Sequence, residues 1–156
     1  MQPTTSPKAE TSNASVEKLQ ELLRGEMSAV ETYELALKSV NHVGLHRTLQ
    51  EILVSHSRRV SQLSEKITAM KGEPSTSSGV WGTFAKVVQA GADILGDRAA
   101  IAALEEGEDH GVAMYAGDLA SVDARTRKII ETDFAPEQRR THDLCRTLKS
   151  YMQAPS

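Results

Sequence analysis

The chain is poor in cysteine and in aromatic residues, with Cys145 alone and 4% Phe, Trp and Tyr, and it has no excess of basic charge. One cysteine excludes an intrachain disulfide and fits a reducing, cytoplasmic setting. Scarce aromatics argue against a β-sandwich or barrel and suit packed helices. Lysine and arginine number 18 against 21 acidic residues, a net charge of −3, and the pI is near 6.0. That balance argues against nucleic acid as a partner. No apolar run approaches the ~20 residues that span a bilayer, so no membrane partner is expected. The N-terminus lacks the basic-then-apolar order of a signal peptide. A phosphate loop, an ordered Ser-His-Asp set and a nucleic-acid module are missing too. No small-molecule substrate or catalytic residue can be named, and whether the chain is an enzyme stays open. Cys145 reads as a small buried hydrophobe.

What is present is length enough for one core (156 residues, 39% hydrophobic) and an internal repeat. Leu19, Leu22, Glu26, Val30, Tyr33 and Leu37 recur, with the same steps, as Ile101, Leu104, Glu108, Val112, Tyr115 and Leu119. These steps keep one helical stripe on one core, and a glutamate stands in the middle of each stripe.

Along the chain, residues 1–14 read as a disordered tail, 15–152 as the folded domain and 153–156 as a frayed end. The first helix is expected from Ser15, as N-cap, to Val40. The second runs from Leu45 to Lys71 and ends at Gly72-Glu73-Pro74. A long connection follows, with a short glycine-interrupted helix over 80–95 anchored by Trp81 and Phe84. The third long helix spans Asp97 to Ala120. The fourth spans Asp123 to Met152 and should kink or restart at Pro136. No strand-period segment competes. The expected fold is all-α: a four-helix bundle with pseudo-twofold symmetry and a long crossover, carrying a short extra helix, between helices 2 and 3.

Glu26 and Glu108 lie between apolar residues one turn above and below. An unpaired carboxylate there costs several kcal/mol or takes up a proton. His56 holds the centre of the second stripe, and the fourth helix offers Glu137 and His142. Three carboxylates and two imidazoles suit iron, manganese or zinc better than calcium or magnesium. The bland alternative is a metal-free polar core in which the glutamates pair with His56, His142 or Arg140. Tyr33 and Tyr115 read as core residues whose hydroxyls find a polar partner. Glu105 flanks the third stripe as a lesser ligand candidate. Glu51, Glu106, Asp109 and His110 read as solvated positions, and His42 and His46 as loop or helix-start residues.

The stretches GEMSAVETY, the Gly-Glu-Pro turn, LEEGEDHG and PEQRRTH resemble the DUF2383 group, a bacterial ferritin-like family of unknown function. The resemblance covers about Val16 to Met152. It implies a bundle in which the first and third helices each give one glutamate to a di-metal centre, while the second and fourth each give Glu-x-x-His. Here Leu53 and Arg139 stand three residues before His56 and His142, so neither Glu-x-x-His pair is intact. The metal expectation is therefore Glu26, His56 and Glu108, completed by Glu137 or His142, in a stress or metal-handling role. The alternative is a non-catalytic bundle that serves as an interaction or oligomerisation module, with a homo-oligomer as its simplest assembly.

Overall fold

The computed structural model describes residues 6–79 and 83–155. Among these residues six α-helices follow in order: α1 (Pro7–Ser39), α2 (Val43–Ala69), α3 (Thr83–Leu95), α4 (Asp97–Ala116), α5 (Ala124–Ile129) and α6 (Ala135–Gln153), with a π-helical turn, Ile130–Phe134, joining the last two. No strand occurs among the described residues, and the fold is all-α. No described helix is long and apolar enough to cross a membrane.

Helix α1 begins two turns before the expected Ser15. Pro7 at its first position has φ preset for a helix and lacks an N–H that would go unpaired anyway. Residues 7–14, expected as part of a disordered tail, are thus helical, though exposed over the first turn. Ser15 is buried and bonds back to the Thr11 carbonyl at 2.9 Å instead of capping. At the far end of α1 the chain turns sharply. The Asp97 carboxylate accepts the Asn41 and His42 N–H groups at 3.0 and 2.7 Å, tying the α1–α2 turn to the start of α4. Helix α2 closes with Lys71 in the left-handed region (φ 61°) and Gly72 N–H returning to the Ile67 carbonyl. Of the two anchors expected for the crossover helix, Trp81 lies outside the described residues, and Phe84 packs partly buried against the core.

Pro136 stands in the first turn of α6, which starts directly after the π-helical turn. Proline lacks an N–H and its ring presses on the carbonyl four residues back. The wider turn at Ile130–Phe134 takes up that misfit, and the helix runs on from Ala124 to Gln153.

Helix α1 packs along α2, α4 along α6, α2 also against α6, and α3 lies on α1 and α4. The apolar interior falls into two clusters. One gathers Tyr33, Leu45, Leu49, Ile52, Ile101, Leu104 and Cys145. The other gathers Leu19, Leu22, Leu23, Leu63, Ile67, Tyr115 and Phe134. On each of α1, α2, α4 and α6, the residues between the clusters are polar: Glu26, His56 with Arg59, Glu108, and Gln138 with Thr141. The fold thus carries a polar layer across its middle.

Candidate metal centres: a closed interior cluster and an open surface triad

The polar layer is built from four helices, each presenting its residues because they fall on its apolar stripe. His56 bridges the two glutamates: Nδ1–H donates to Glu26 Oε2 at 2.6 Å and Nε2–H to Glu108 Oε1 at 2.8 Å. Both ring nitrogens face a carboxylate, an environment that favours the protonated ring, and Arg59 Nη2 also lies 3.0 Å from Nδ1. Arg59, one turn along α2, places Nη1 3.0 Å from Glu26 Oε1 and donates to Gln138 Oε1 as well. Its Nη2 reaches Thr141 Oγ1 at 3.3 Å. Tyr115 donates to Glu26 Oε1 at 2.6 Å, and Tyr33 to Glu108 Oε1 at 2.7 Å. Gln138 and Thr141 donate to Glu108 Oε2 at 2.8 and 2.9 Å. All four carboxylate oxygens are thereby engaged. The two carboxylates meet the Arg59 guanidinium and the His56 ring among buried groups, and only Arg59 Nε among these groups lacks a partner.

The ionisation of the cluster follows from this packing. Burial alone would raise the pKa of Glu26, but the charges of Arg59 and His56 and the hydrogen bonds from His56 and Tyr115 outweigh it, and the pKa is lowered. Glu108 is lowered against the same burial penalty, chiefly by His56, then Tyr33 and Thr141. For His56 burial opposes the charged form, and the Glu26 charge with the bonds to Glu108 and Glu26 overcomes it, so its pKa is raised. Burial first, then the neighbouring carboxylates, push both tyrosines well above their ordinary range, so they stay hydroxyl donors. Burial raises the Cys145 thiol to about 12, which leaves it inert as a nucleophile.

The layer repeats itself. Arg59 and Thr141 stand 82 positions apart and touch, as do Ser55 and Glu137. The same offset relates Glu26 to Glu108, Tyr33 to Tyr115 and His56 to Gln138. Each tyrosine crosses over to the other half's glutamate. Ile52, His56, Arg59 and Leu63 of α2 correspond in turn to Phe134, Gln138, Thr141 and Cys145, and all eight are buried. Gly111 belongs to this arrangement. A Cβ there would collide with the Gln138 amide that holds Glu108.

Of the five residues expected to share a metal, Glu26, His56 and Glu108 come together, and Glu137 and His142 do not. The proline lies one residue before Glu137 and leaves its carboxylate on the α2 side, where it accepts from Ser55 at 2.7 Å and from Arg140. Arg140 lowers the Glu137 carboxyl to about 2 and also reaches Glu51 at 2.8 Å. Arg140, proposed as a partner of the interior glutamates, therefore belongs to this surface network. His142 turns the other way, toward α4. Its Nε2 lies 2.6 Å from Asp109 Oδ1 and 3.9 Å from Glu105 Oε1. Glu105, Asp109 and His142 offer ligand atoms that all lie within 4.8 Å of one another. Asp109, expected only as a solvated position, is a member of this triad. Lys149 holds the second Glu105 oxygen at 2.7 Å, and His142 Nδ1 faces Asp143 at 3.8 Å.

A sequence-family profile, the domain of unknown function DUF2383, matches residues 14–120. The chain belongs to the DUF2383 family. No curated protein and no solved structure gives a match. The DUF2383 match takes in Glu26, His56, Arg59, Glu105, Glu108 and Asp109 and ends before α6, which supplies Gln138, Thr141 and His142.

Proposed function

We propose that this DUF2383 protein is a ferritin-like four-helix bundle, of α1, α2, α4 and the continuous α5–α6, that handles a divalent transition-metal ion at its α4–α6 surface. The ligands are Glu105, Asp109 and His142. The observation that carries the reading is the convergence of one imidazole nitrogen and two carboxylate oxygens within 4.8 Å on two packed helices. Metal–ligand bonds of about 2.0–2.2 Å require the His142–Glu105 contact of 3.9 Å to close and the His142–Asp109 contact of 2.6 Å to open. One nitrogen with two oxygens suits zinc, manganese or iron. A metal held by His142 through Nε2 would leave Nδ1 facing Asp143, 3.8 Å away. A carboxylate behind a ligating imidazole fixes its tautomer and orientation. Lys149 neutralises part of the Glu105 charge and swings on a flexible stem that an incoming dication displaces.

Titration of zinc and manganese into the full-length chain tests this. Saturable uptake of about one ion per chain, lost in His142→Ala and in Asp109→Asn, is the expected result, with Asp143→Asn weakening affinity about 10-fold. Uptake indifferent to both ligand substitutions contradicts it.

A second reading, a non-catalytic interaction or oligomerisation module around a metal-free polar core, is favoured by the charge balance of the interior cluster. It predicts self-association or a single species by sedimentation that metal leaves unchanged.

A further inference from the structure

Resting on the ferritin-like reading, the geometry points to an interior cluster that is a di-metal carboxylate arrangement with its metals replaced by the protein's own cations: we propose that His56 and Arg59 fill the role of the two ions, and that the centre is closed to metal.

In the di-metal arrangement, two helices give one glutamate each and two give Glu-x-x-His, a pair spaced three residues apart. All six positions exist here in one contiguous cluster. Glu26 and Glu108 keep the single carboxylates. The spaced pairs are His56-x-x-Arg59 on α2 and Gln138-x-x-Thr141 on α6, each member buried and each bonded into the cluster. The charge logic agrees. Two dications need four carboxylates for neutrality; two monovalent cations need two, and two are present. The remaining positions hold Gln138 and Thr141, neutral donors that point at Glu108 where a ligand would have to accept a metal.

The donor set does not fit a metal ion. An imidazole binds metal through a free, unprotonated nitrogen, and both His56 nitrogens are taken up by the cluster: Nδ1 lies against Glu26 and Arg59 Nη2, and Nε2 against Glu108. A guanidinium is a cation with five donors and no lone pair to give. It lies against Glu26 at 3.0 Å, on the oxygen that Tyr115 also bonds. An entering dication would meet two positive charges at short range. The departure from the family pattern is therefore a matched substitution of four residues that conserves neutrality, and not the loss of one ligand.

The test restores the missing pairs in the full-length chain, in a His142→Ala background that removes the surface triad. His56→Glu, Arg59→His, Gln138→Glu and Thr141→His together rebuild Glu-x-x-His on α2 and α6. This variant is expected to bind about two manganese or cobalt ions per chain, and to melt higher with metal than without. The His142→Ala parent, with the native centre, is expected to bind none above background. A folded variant that takes up no metal overturns the proposal. So does a parent that retains stoichiometric metal lost on Glu26→Gln and Glu108→Gln. If the rebuilt chain folds only when metal is added, the proposal is supported. If it folds in neither condition, Arg59→Ala decides, again in the His142→Ala background. Removing one cation leaves the two carboxylates undercompensated, so manganese should raise the melting temperature of that variant and leave its parent unchanged, and equal responses overturn the proposal. Because the surface triad is absent throughout, failure here leaves the reading of Glu105, Asp109 and His142 untouched.

Discussion

The interior cluster and the surface triad draw on the same side chains, carboxylates and histidine, and meet on α4: Glu108 faces inward, while Glu105, three residues before it, and Asp109, next to it, face His142 of α6. They differ in how their charges are closed. Inside, His56, Arg59, Gln138 and Thr141 with the two tyrosines engage both glutamates and no oxygen is left over. At the surface, two carboxylates face one imidazole and one lysine, and Asp109 is largely in water. A buried ionic set must carry its own counter-charges, because desolvation makes an uncompensated one intolerable. An exposed set can leave a vacancy for a soluble cation. Proximity of His and Glu in sequence or space therefore does not by itself mark a metal site; the protonation and cation count of the whole cluster do.

Breaking the interior closure should have the largest effect. Arg59→Ala strands Glu26 and is expected to cost about 3–5 kcal/mol in urea denaturation. Combined with Glu26→Gln the loss should fall short of the sum, with a coupling of about 0.5–3 kcal/mol. A deficit that is purely additive would mean that the two do not act as a pair. Next in size is Gly111→Ala, which forces the Gln138 amide away from Glu108. About 1–3 kcal/mol is expected, and Gln138→Ala beside it should remove most of that penalty.

The interior should also respond to pH in two directions. Glu26 has a lowered pKa in the folded state. Its contribution is present above the ordinary carboxylate value of 4.5 and is lost as pH falls through the folded value. His56 has a raised pKa. Its contribution is full below the ordinary 6.5 and is lost as pH rises through the folded value. Stability should peak between these limits, and His56→Gln should flatten the alkaline limb and also weaken the acid limb, because His56 helps to lower both glutamates. An unchanged alkaline limb would show that His56 is not held protonated.

The surface changes should be the smallest. Glu137→Gln removes the Arg140 partner in a half-exposed network and should cost no more than about 1 kcal/mol. His142→Ala should stay within about 0.5 kcal/mol without metal. Its signature is loss of the metal-induced rise in melting temperature.

Much of the fold was legible because apolar stripes on long helices are strong signals. The repeat around Glu26 and Glu108 also announced the polar layer. The partners of those glutamates were harder to see, since ligand-type residues drew attention to Glu137 and His142 and away from Gln138 and Thr141. The signal that finds the latter is the repeat itself: carried 82 positions on from His56 and Arg59, it lands on both. Arg59 escaped notice because an arginine on a stripe reads as a residue at the solvent edge, yet its side chain is only 1% exposed. The π turn before Pro136 is a backbone adjustment that side-chain periodicity does not encode, and it sets which of Glu137 and Gln138 faces inward. The Glu105–Asp109–His142 triad joins two helices whose relative rotation only the packed structure supplies.

The most direct measurement is calorimetric titration of manganese or zinc into the wild-type chain, His142→Ala, and the Glu26→Gln/Glu108→Gln double variant, provided that variant is folded by circular dichroism. The account predicts about one ion bound by the wild type and by the interior double variant, and none by His142→Ala. An ion that His142→Ala keeps and the interior double variant loses would place metal at the centre and contradict it.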